Sequence, residues 1–346
     1  MPTYRLFSHQ AMAGLALLTA LWFLIYPLLS SSRARGPGMW SLSETFQPQS
    51  KLMVLIWHWP FDKSLPLDGD VCAHYGVANC WLSANQSLLS QASVVVFHHY
   101  ELQSGAVRLP LAQRPLRQPW VWTNLESPSN THRLSHYQNI FNWVMTYRRD
   151  SDIFVPYGEL VPRDGPAPPV TAKNRTAAWV ISNYRQTQKR VLVYKQLSKH
   201  LQVDVFGRAN RKPLCPDCLL PTLAPYRFYL AFENSQHRDY ITEKLWRNSL
   251  GAGVVPVVLG PPRSTYEAFL PADAFIHVDD FSSAQELATF LKSMNASHYQ
   301  RFFAWRERLA VRLYSDWRER FCGICARYPH LPQDKIYGDL EAWFKS

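Results

Sequence analysis

The stretch DYITEKLWRNSLGAGVVPVVLG (239–260) shows how this chain folds, because a helix start lies directly before an unbroken apolar run. Thr242 is a favourable N-cap residue, and Glu243 and Lys244 would occupy the first helical turn. The glycines that follow can end the helix, and VVPVVLG then has the character of a strand that is buried on both faces. A helix that leads at once into a buried strand is typical of a parallel α/β sheet.

Apolar runs with the same character occur on both sides of this stretch and predict further buried strands. Between them, QTQKRVLVYKQLSKH (186–200) has helical periodicity, and SSAQELATFLKSM (282–294) opens with a capping box. Long helices are predicted to close the chain from about Ala296 and from about Gln333. The predicted strands are LMVLIW (52–57), SVVVFHH (93–99), PWVWTNLE (119–126), AAWVIS (177–182), LQVDVFG (201–207), RFYLAFEN (227–234) and AFIHVDD (274–280).

A segment rich in Pro and Gly, VPRDGPAPPV (161–170), divides these elements into two blocks and is predicted to be a linker. Two alternating blocks predict an α/β protein with two Rossmann-like, doubly wound domains that face each other across a cleft. The predicted boundaries are a tail at 1–10, a transmembrane signal anchor at 11–30, a stem at 31–50, a first domain at 51–165 and a second domain at 166–346.

The anchor is predicted from residues 11–29, which carry no charge. As a helix they would span about 28 Å, close to the hydrocarbon thickness of a bilayer. A cleaved signal peptide is the alternative, but its apolar core is usually only about 7–15 residues long. A membrane-anchored lumenal domain and the scattered basic residues disfavour nucleic-acid binding, despite a net charge of +11. Sequons that support a lumenal domain begin at Asn85, Asn174 and Asn295.

The six cysteines fall in sequence-close pairs, which are Cys72 with Cys80, Cys215 with Cys218, and Cys322 with Cys325. In an oxidising compartment an even number suggests disulfides, and pairing within each close pair is the simplest arrangement. Two C-x-x-C pairs also leave zinc binding or a redox centre open. A redox pair normally opens a helix, whereas the residues after CPDC are a poor helix start.

A candidate binding site lies where the helix at Thr242 begins. Since the preceding strand ends at Glu233, this helix N-terminus lies at the carboxyl edge of a parallel sheet, where ligands bind. The helix N-terminus and Lys244 both favour an anion such as a diphosphate, and Arg190 could reach it from a neighbouring βα unit. Glu243 would then face sugar hydroxyls. The ordinary alternatives are a glutamate that complements the helix dipole and two exposed basic side chains.

Two carboxylates near strand ends are candidates for proton transfer. Glu126 ends an apolar strand of the first block and precedes a Ser-Pro turn, which would direct it into the cleft. Glu101 is the competitor and follows His98 and His99. A general base must lie within hydrogen-bond reach of the hydroxyl that it deprotonates. On these residues alone, Glu126 could equally be an ordinary strand-end glutamate, and the histidines a strand-end pair.

Long motifs in a fixed order then point to a family. They are NLESPSNTH (124–132), YRRDSDIFVPYG (147–158), VISN (180–183), VFGRAN (205–210) and FENSQHRDYITEKLWRNSLGAGVVPVVLG (232–260). Over residues 51–346 the chain resembles the animal α-(1,3)-fucosyltransferases. The resemblance implies a type II Golgi membrane protein of GT-B architecture. It implies inverting transfer of fucose, without a required cofactor, from GDP-β-L-fucose to the 3-hydroxyl of N-acetylglucosamine in lactosamine.

The resemblance also implies substrates and residue roles. It is greatest to members that act on α2,3-sialylated lactosamine of glycoproteins and glycolipids and so make sialyl Lewis x, a selectin ligand. It implies that Glu126 is the general base, that Arg190 and Lys244 bind the diphosphate, and that Glu243 contacts fucose. Further donor contacts are implied for Ser182, Asn183 and Tyr157. Acceptor preference is implied for His98, His99 and Tyr100, and the last of these varies within the family.

Two other classes of protein remain open at this point. A metal-dependent GT-A glycosyltransferase would place D-x-D after an apolar strand, but Asp150-Ser-Asp152 follows YRR, and Asp279-Asp280 lacks the spacing. A lumenal lectin or chaperone could use the 14% aromatic residues to stack on sugars. Such a protein would not explain why Lys244 and Arg190 are both predicted at one sheet edge. Homo-oligomerisation is left open.

Overall fold

The computed structural model describes residues 51–346 of the chain. The predicted tail, anchor and stem lie outside these residues. No helix between residues 51 and 346 is long and apolar enough to cross a bilayer. The described residues all belong to one compact unit.

The first block of the chain builds a six-stranded sheet in which every pairing is parallel. Its strands are β1 (Leu52–Ile56), β2 (Cys80–Ser83), β3 (Val94–His98), β4 (Trp120–Asn124), β5 (Trp143–Thr146) and β6 (Ile153–Phe154), and helix α1 (His99–Ser104) follows β3. Their order across the sheet is β2-β1-β3-β4-β5-β6. Both faces are apolar, since Val54 and Leu55 point into different core clusters. Burial on both faces explains the unbroken apolar runs of these strands.

The second block builds a five-stranded parallel sheet with helices around it. Its strands are β8 (Arg175–Val180), β9 (Val203–Phe206), β10 (Tyr226–Phe232), β11 (Val255–Leu259) and β12 (Ile276–His277), in the order β12-β11-β10-β8-β9. Its helices are α2 (Lys189–Leu197), α3 (Leu219–Leu223), α4 (Glu243–Leu245), which continues as a π turn (Trp246–Leu250), α5 (Arg263–Glu267), α6 (Ala284–Ser293) and α7 (Ala296–Arg301). The parallel α/β prediction is confirmed for both blocks.

Each predicted strand overlaps a strand of the structure. Ser283 accepts a hydrogen bond from the backbone N of Glu286, as the capping box predicts. Three strands of the first sheet were not predicted. They are β2, β5 and β6, which have only four, four and two residues. Strands this short carry too few positions for a period to stand out.

The closing part of the chain differs from the prediction of long helices. Helix α7 ends at Arg301, and the chain then forms β13 (Leu309–Leu313), α8 (Trp317–Arg327) and α9 (Leu340–Lys345). Strand β13 pairs antiparallel with β7 (Gly158–Pro162), so part of the predicted linker is a strand. Phe321 of α8 belongs to a core cluster of the first sheet, and Phe344 of α9 to another. Residues 317–346 therefore return to the first sheet.

This return also explains the disulfides. Pairing within a sequence-close pair is correct for Cys215–Cys218 and wrong for the other four cysteines, which form Cys72–Cys322 and Cys80–Cys325. The two cysteines of α8 are three residues apart and share one helix face. Because α8 packs against β1 and β2, that face meets Cys72 and Cys80 across sequence separations of 250 and 245 residues.

Candidate active site

Two adjoining cavities lie where parallel sheets usually bind ligands, outside the carboxyl ends of strands at the point where the strand order reverses. In the first sheet this point lies between β1 and β3, and in the second between β8 and β10. The smaller cavity, of about 280 Å³, is lined by Phe61 after β1 and His98 at the end of β3. The larger cavity, of about 850 Å³, is lined by Ser182 after β8 and Asn234 after β10.

Residues from both sheets form the boundary between these cavities. Glu126, which follows β4, and Glu243, which begins α4, line both of them. So do Tyr100 of α1 and Arg247 of the π turn. The cavities are therefore two parts of one cleft, and Glu126 and Glu243 both reach the place where they meet.

Lys244 is the most firmly held cation of the larger cavity. Its Nζ donates to Thr242 Oγ1 at 2.8 Å and lies 3.0 Å from Glu233 Oε2 and 3.2 Å from Glu243 Oε1. The Glu233 side chain is only 1% exposed and also accepts from the backbone N of Thr242. Burial opposes the charge of Lys244, but the two glutamates outweigh it and raise its pKa above the ordinary value. The ammonium therefore stays charged.

Arg190 is a second buried cation of the larger cavity. It lies on α2, and its guanidinium donates to Gln188 Oε1 at 3.0 Å and to the backbone O of Asn183 at 2.6 Å. Burial lowers its pKa, but a guanidinium remains protonated in proteins. Within residues 51–346, no carboxylate lies within ion-pair distance of it. A buried guanidinium without a carboxylate in direct contact, beside a cavity, favours an anionic ligand.

The larger cavity also contains residues for which sequence reasoning derived no role. Gly207 has φ of 109°, and a Cβ there would lie 2.1 Å from the carbonyl O of Ile181. Only glycine lets this loop approach the end of β8 so closely. Arg208 and the Cys215–Cys218 disulfide continue the same wall. The sequence did carry a signal for this close approach. It was the glycine of VFGRAN, which directly follows an apolar strand.

Of the two competing carboxylates, only Glu126 reaches the cleft. Its Oε2 accepts from Asn130 Nδ2 at 3.0 Å, and the side chain lines both cavities. Glu101 is buried behind the smaller cavity, where Oε2 lies 2.6 Å from His98 Nδ1 and Oε1 accepts from the backbone N of Phe61 at 2.6 Å. Glu126 is therefore the carboxylate that a substrate can touch.

The two neighbouring histidines point in different directions. His98 lines the smaller cavity, whereas His99 is 1% exposed and lines neither cavity. His99 Nε2 donates to the backbone O of His132, and Trp122 Nε1 donates to His99 Nδ1. Burial lowers the pKa of His99 to about 4, so its ring is neutral. The structure therefore places His99 in the core instead of among acceptor contacts.

Tyr157, for which a donor contact was predicted, is held against the backbone next to Glu126. It lines the smaller cavity and is absent from the lining of the larger one. Its hydroxyl donates to the backbone O of Leu125 at 2.6 Å, next to Glu126. Tyr157 thus supports the backbone that carries the candidate base, while Ser182 and Asn183 do line the larger cavity.

The C-terminal segment supplies one side of the smaller cavity. Tyr314, Trp317 and Arg320 line it, and Arg320 is 5% exposed and donates to the backbone O of Tyr314. Burial lowers the pKa of Arg320 to about 10. No local pattern identified these residues, because they reach the cleft only through the return of α8 to the first sheet.

The aspartates of the GT-A alternative serve other contacts. Asp150 accepts from Arg148 Nη2 at 2.7 Å, and Asp152 lies 2.5 Å from Lys335 Nζ. Neither lines one of the two cavities. Among residues 51–346, the one cluster with metal-ligand spacing is Cys72, Cys80 and Cys322, whose sulfurs are all in disulfides.

Two parallel sheets whose carboxyl ends share a cleft fit the GT-B architecture of glycosyltransferases. Solved structures agree on the fold. A crystal structure of an alpha1,3-fucosyltransferase with GDP-fucose matches with a TM-score of 0.54 and 17% identity, over 88% of this chain and 96% of that chain. A crystal structure of an alpha1,3-fucosyltransferase with GDP matches with a TM-score of 0.53, over 88% and 96%.

Sequence comparison identifies the family. Family models match residues 49–158 (fucosyltransferase, N-terminal) and 170–343 (glycosyltransferase family 10 (fucosyltransferase), C-terminal). The chain is 63% identical to human alpha-(1,3)-fucosyltransferase 7, over 100% of this chain and 98% of that protein. It is 43% identical to human 3-galactosyl-N-acetylglucosaminide 4-alpha-L-fucosyltransferase, over 95% and 93%. The chain therefore belongs to glycosyltransferase family 10, the fucosyltransferases, and is an enzyme, as the motifs predicted.

Proposed function

We propose that this enzyme is an inverting α-(1,3)-fucosyltransferase that uses GDP-β-L-fucose. Its acceptor is the 3-hydroxyl of N-acetylglucosamine in α2,3-sialylated N-acetyllactosamine, so that the product is sialyl Lewis x, a selectin ligand. The names of the similar proteins and the GDP-fucose complex support the linkage and the donor. One observation carries the proposal. A cavity with two fixed cations, Arg190 and Lys244, opens beside Glu126 into a second cavity whose lining includes several aromatic rings.

The larger cavity would hold the donor. A diphosphate fits between a guanidinium and an ammonium that are both fixed before it arrives, with Ser182 and Asn183 as further polar contacts. Lys244 is already hydrogen-bonded to Glu243. A phosphate oxygen would replace that carboxylate as the partner of Lys244. Glu243, whose side chain is 41% exposed, would then turn to the hydroxyls of fucose.

Glu126 would act as the general base. As the acceptor 3-oxygen attacks C1 of fucose, its proton passes to the Glu126 carboxylate. The bond from C1 to the β-phosphate oxygen breaks on the opposite face, and its electron pair leaves with GDP. Arg190 and Lys244 offset the charge that develops on the diphosphate. One displacement converts the β-linked donor into an α-linked product.

The domain assignment follows from these roles. Residues 51–165 would bind the acceptor and residues 166–346 the donor, with Trp317 and Arg320 of the C-terminal segment on the acceptor side. The enzyme would be a type II Golgi membrane protein with this part in the lumen. The sequon residues Asn85, Asn174 and Asn295 are all exposed, which suits N-glycosylation. A glycosidase-induced shift in gel mobility and protection from protease in intact vesicles test this location.

The test of the activity uses a secreted fragment from Lys51 onward with GDP-fucose and EDTA. Lactosamine is offered with and without α2,3-linked sialic acid. We expect fucose to be transferred to the sialylated chain, and we expect EDTA not to reduce this transfer. NMR of the product should show an α-linkage. Transfer mainly to the neutral chain overturns the proposed acceptor. Loss of transfer in EDTA overturns metal-independent catalysis and supports the GT-A type of chemistry.

A further inference from the structure

The buried carboxylate of Glu101 connects three elements behind the smaller cavity without lining it. Glu101 lies on α1, one oxygen is 2.6 Å from His98 Nδ1 at the end of β3, and the other accepts from the backbone N of Phe61 in the loop after β1. The side chains of Glu101 and His98 are only 5% and 3% exposed. A contact this well enclosed holds all three elements in one arrangement.

The loop that carries Phe61 needs such support. Phe61 and Asp62 have φ of 57° and 55°, which lie in the left-handed region that non-glycine residues rarely adopt. Such a backbone persists only where its surroundings impose it. The ring of Phe61 is 49% exposed, lies 5.0 Å from the ring of His98 and 5.2 Å from that of Tyr100, and lines both cavities. The bond to Glu101 therefore places an apolar wall of the cleft.

The same carboxylate sets the tautomer of His98. Burial would raise the pKa of Glu101, but the hydrogen bonds from His98 and Phe61 outweigh it and hold the pKa below its usual range. An ionised carboxylate only accepts hydrogen bonds, so His98 Nδ1 carries the proton. In the neutral ring, Nε2 is then an acceptor. Within residues 51–346, no group hydrogen-bonds to His98 Nε2, and the ring lines the smaller cavity.

We infer that Glu101 is a positioning residue for the acceptor sugar. It holds His98 so that Nε2 accepts a hydrogen bond from a sugar hydroxyl, and it holds Phe61 as the apolar surface beside that hydroxyl. The rings of Phe61 and Trp317 lie 5.0 Å and 5.1 Å from the ring of His98. His98 Nε2 is therefore a polar atom within an aromatic wall. A sugar, with hydroxyls at its edge and C–H groups on its face, matches this pattern. The inference rests on the proposed acceptor role of the smaller cavity.

The variant Glu101→Gln tests the inference. Its carbonyl oxygen can still accept from Phe61, but its amide nitrogen only donates, so His98 must move its proton to Nε2 to keep the contact. The atom that faces the cavity then changes from acceptor to donor. Expected is a fall of about 5- to 100-fold in kcat/KM for the acceptor. The KM for GDP-fucose and the affinity for GDP should stay the same, as in the surface control Glu267→Gln. An equal loss of donor affinity, or no loss at all, overturns the inference.

Two further measurements separate positioning from a merely structural role. With singly deoxygenated acceptors, removal of the hydroxyl that binds His98 should reduce kcat/KM in the wild type and have no further effect in Glu101→Gln. If every deoxygenation has the same effect in both enzymes, no hydroxyl is bound through this pair. The variant His98→Gln, whose amide oxygen can stand near the position of Nε2, should retain more activity than His98→Ala. Equal activities contradict the role of Nε2.

A spectroscopic measurement keeps the inference distinct from the proposed function and from folding defects. ¹⁵N NMR of His98 in the substrate-free wild type should show a proton on Nδ1 and none on Nε2. A proton on Nε2 overturns the inference whatever the enzyme transfers. If instead the tautomer is as expected but no lactosamine acceptor is fucosylated, the proposed function fails while the arrangement of Glu101 and His98 stands.

Discussion

The two walls of the cleft have the same parallel-sheet plan but hold their charges differently. On the wall of the second sheet, Lys244 is fixed by the buried Glu233 at 3.0 Å, and Arg190 is buried. On the wall of the first sheet, the partly exposed Glu126 carboxylate accepts one hydrogen bond from the part of the chain that the structure describes, and its donor is Asn130. Cations that bind a diphosphate act best when they are fixed in advance. A general base must instead keep a lone pair free for the proton that it receives.

The walls also differ in how the chain builds them. Residues between 180 and 248 form the wall of the second sheet. The wall of the first sheet combines Phe61, His98 and Glu126 with Trp317 and Arg320. Long-range disulfides join the helix of these last two residues to the first sheet. The wall of the second sheet thus depends on local βα geometry, and the wall of the first sheet on distant chain segments.

The largest effect is expected from Glu126→Gln. An amide cannot take the proton of the attacking hydroxyl, so the rate of fucose transfer should fall by about 10²- to 10⁴-fold. The affinity for GDP, measured by calorimetry, should not change, because the second sheet supplies the cations. Glu267→Gln, on an exposed ion pair with Arg263, is the matched control and should retain both. Loss of GDP binding in Glu126→Gln would mean that the two walls do not act separately.

The disulfides test the second difference between the walls. Replacing Cys72 and Cys322 with Ser removes a link across 250 residues, which should cost about 2–5 kcal/mol and lower Tm by about 5–15 °C. It should also raise KM for the acceptor, because α8 carries Trp317.

Replacing Cys215 and Cys218 removes a link across three residues. Since so short a loop restricts the unfolded chain little, Tm should change less, while KM for GDP-fucose rises. The reverse order of Tm effects would contradict this account.

A smaller loss is expected from Lys244→Ala. A charge-assisted hydrogen bond contributes roughly 1.5–3 kcal/mol, so the affinity for GDP-fucose should fall by about 10- to 150-fold. The variant also leaves Glu233 buried without its cation, which destabilises the fold. Adding Glu233→Gln should restore Tm without restoring donor affinity. Lys292→Ala, at an exposed position on α6, is the control for a lost surface charge. Unchanged donor affinity in Lys244→Ala would remove this residue from the donor site.

The smallest effect concerns the net charge of +11. A basic surface should steer a sialylated acceptor toward the cleft, and salt screens such steering over about 8–10 Å at physiological ionic strength. Raising the salt concentration should therefore lower kcat/KM a few-fold for the sialylated acceptor and leave the neutral lactosamine nearly unaffected. Parallel assays of the two acceptors measure this ratio. Equal salt dependence would show that the surface charge does not act on sialic acid.

The parts of this protein that were predictable from sequence are those that depend on neighbouring residues. The apolar runs predicted the long strands, and Thr242 predicted a helix start at a sheet edge, where α4 begins. Placing Arg190 and Lys244 near one ligand was a prediction from neighbouring βα units, and both residues line the larger cavity. Local prediction failed after Arg301, because β13 and α8 depend on partners in the first block.

By itself, the sequence determined the α/β class, the family and the chemical types available at the strand ends, because periodicity and motifs are local properties. Only the tertiary structure decided which cysteines pair, that His98 faces the cleft while its neighbour His99 is buried, and that Glu126 is accessible while Glu101 is enclosed. These outcomes depend on side-chain direction and on contacts between distant segments. A sequence pattern carries neither, because residues with the same local spacing can face a cavity or the core according to what packs against them.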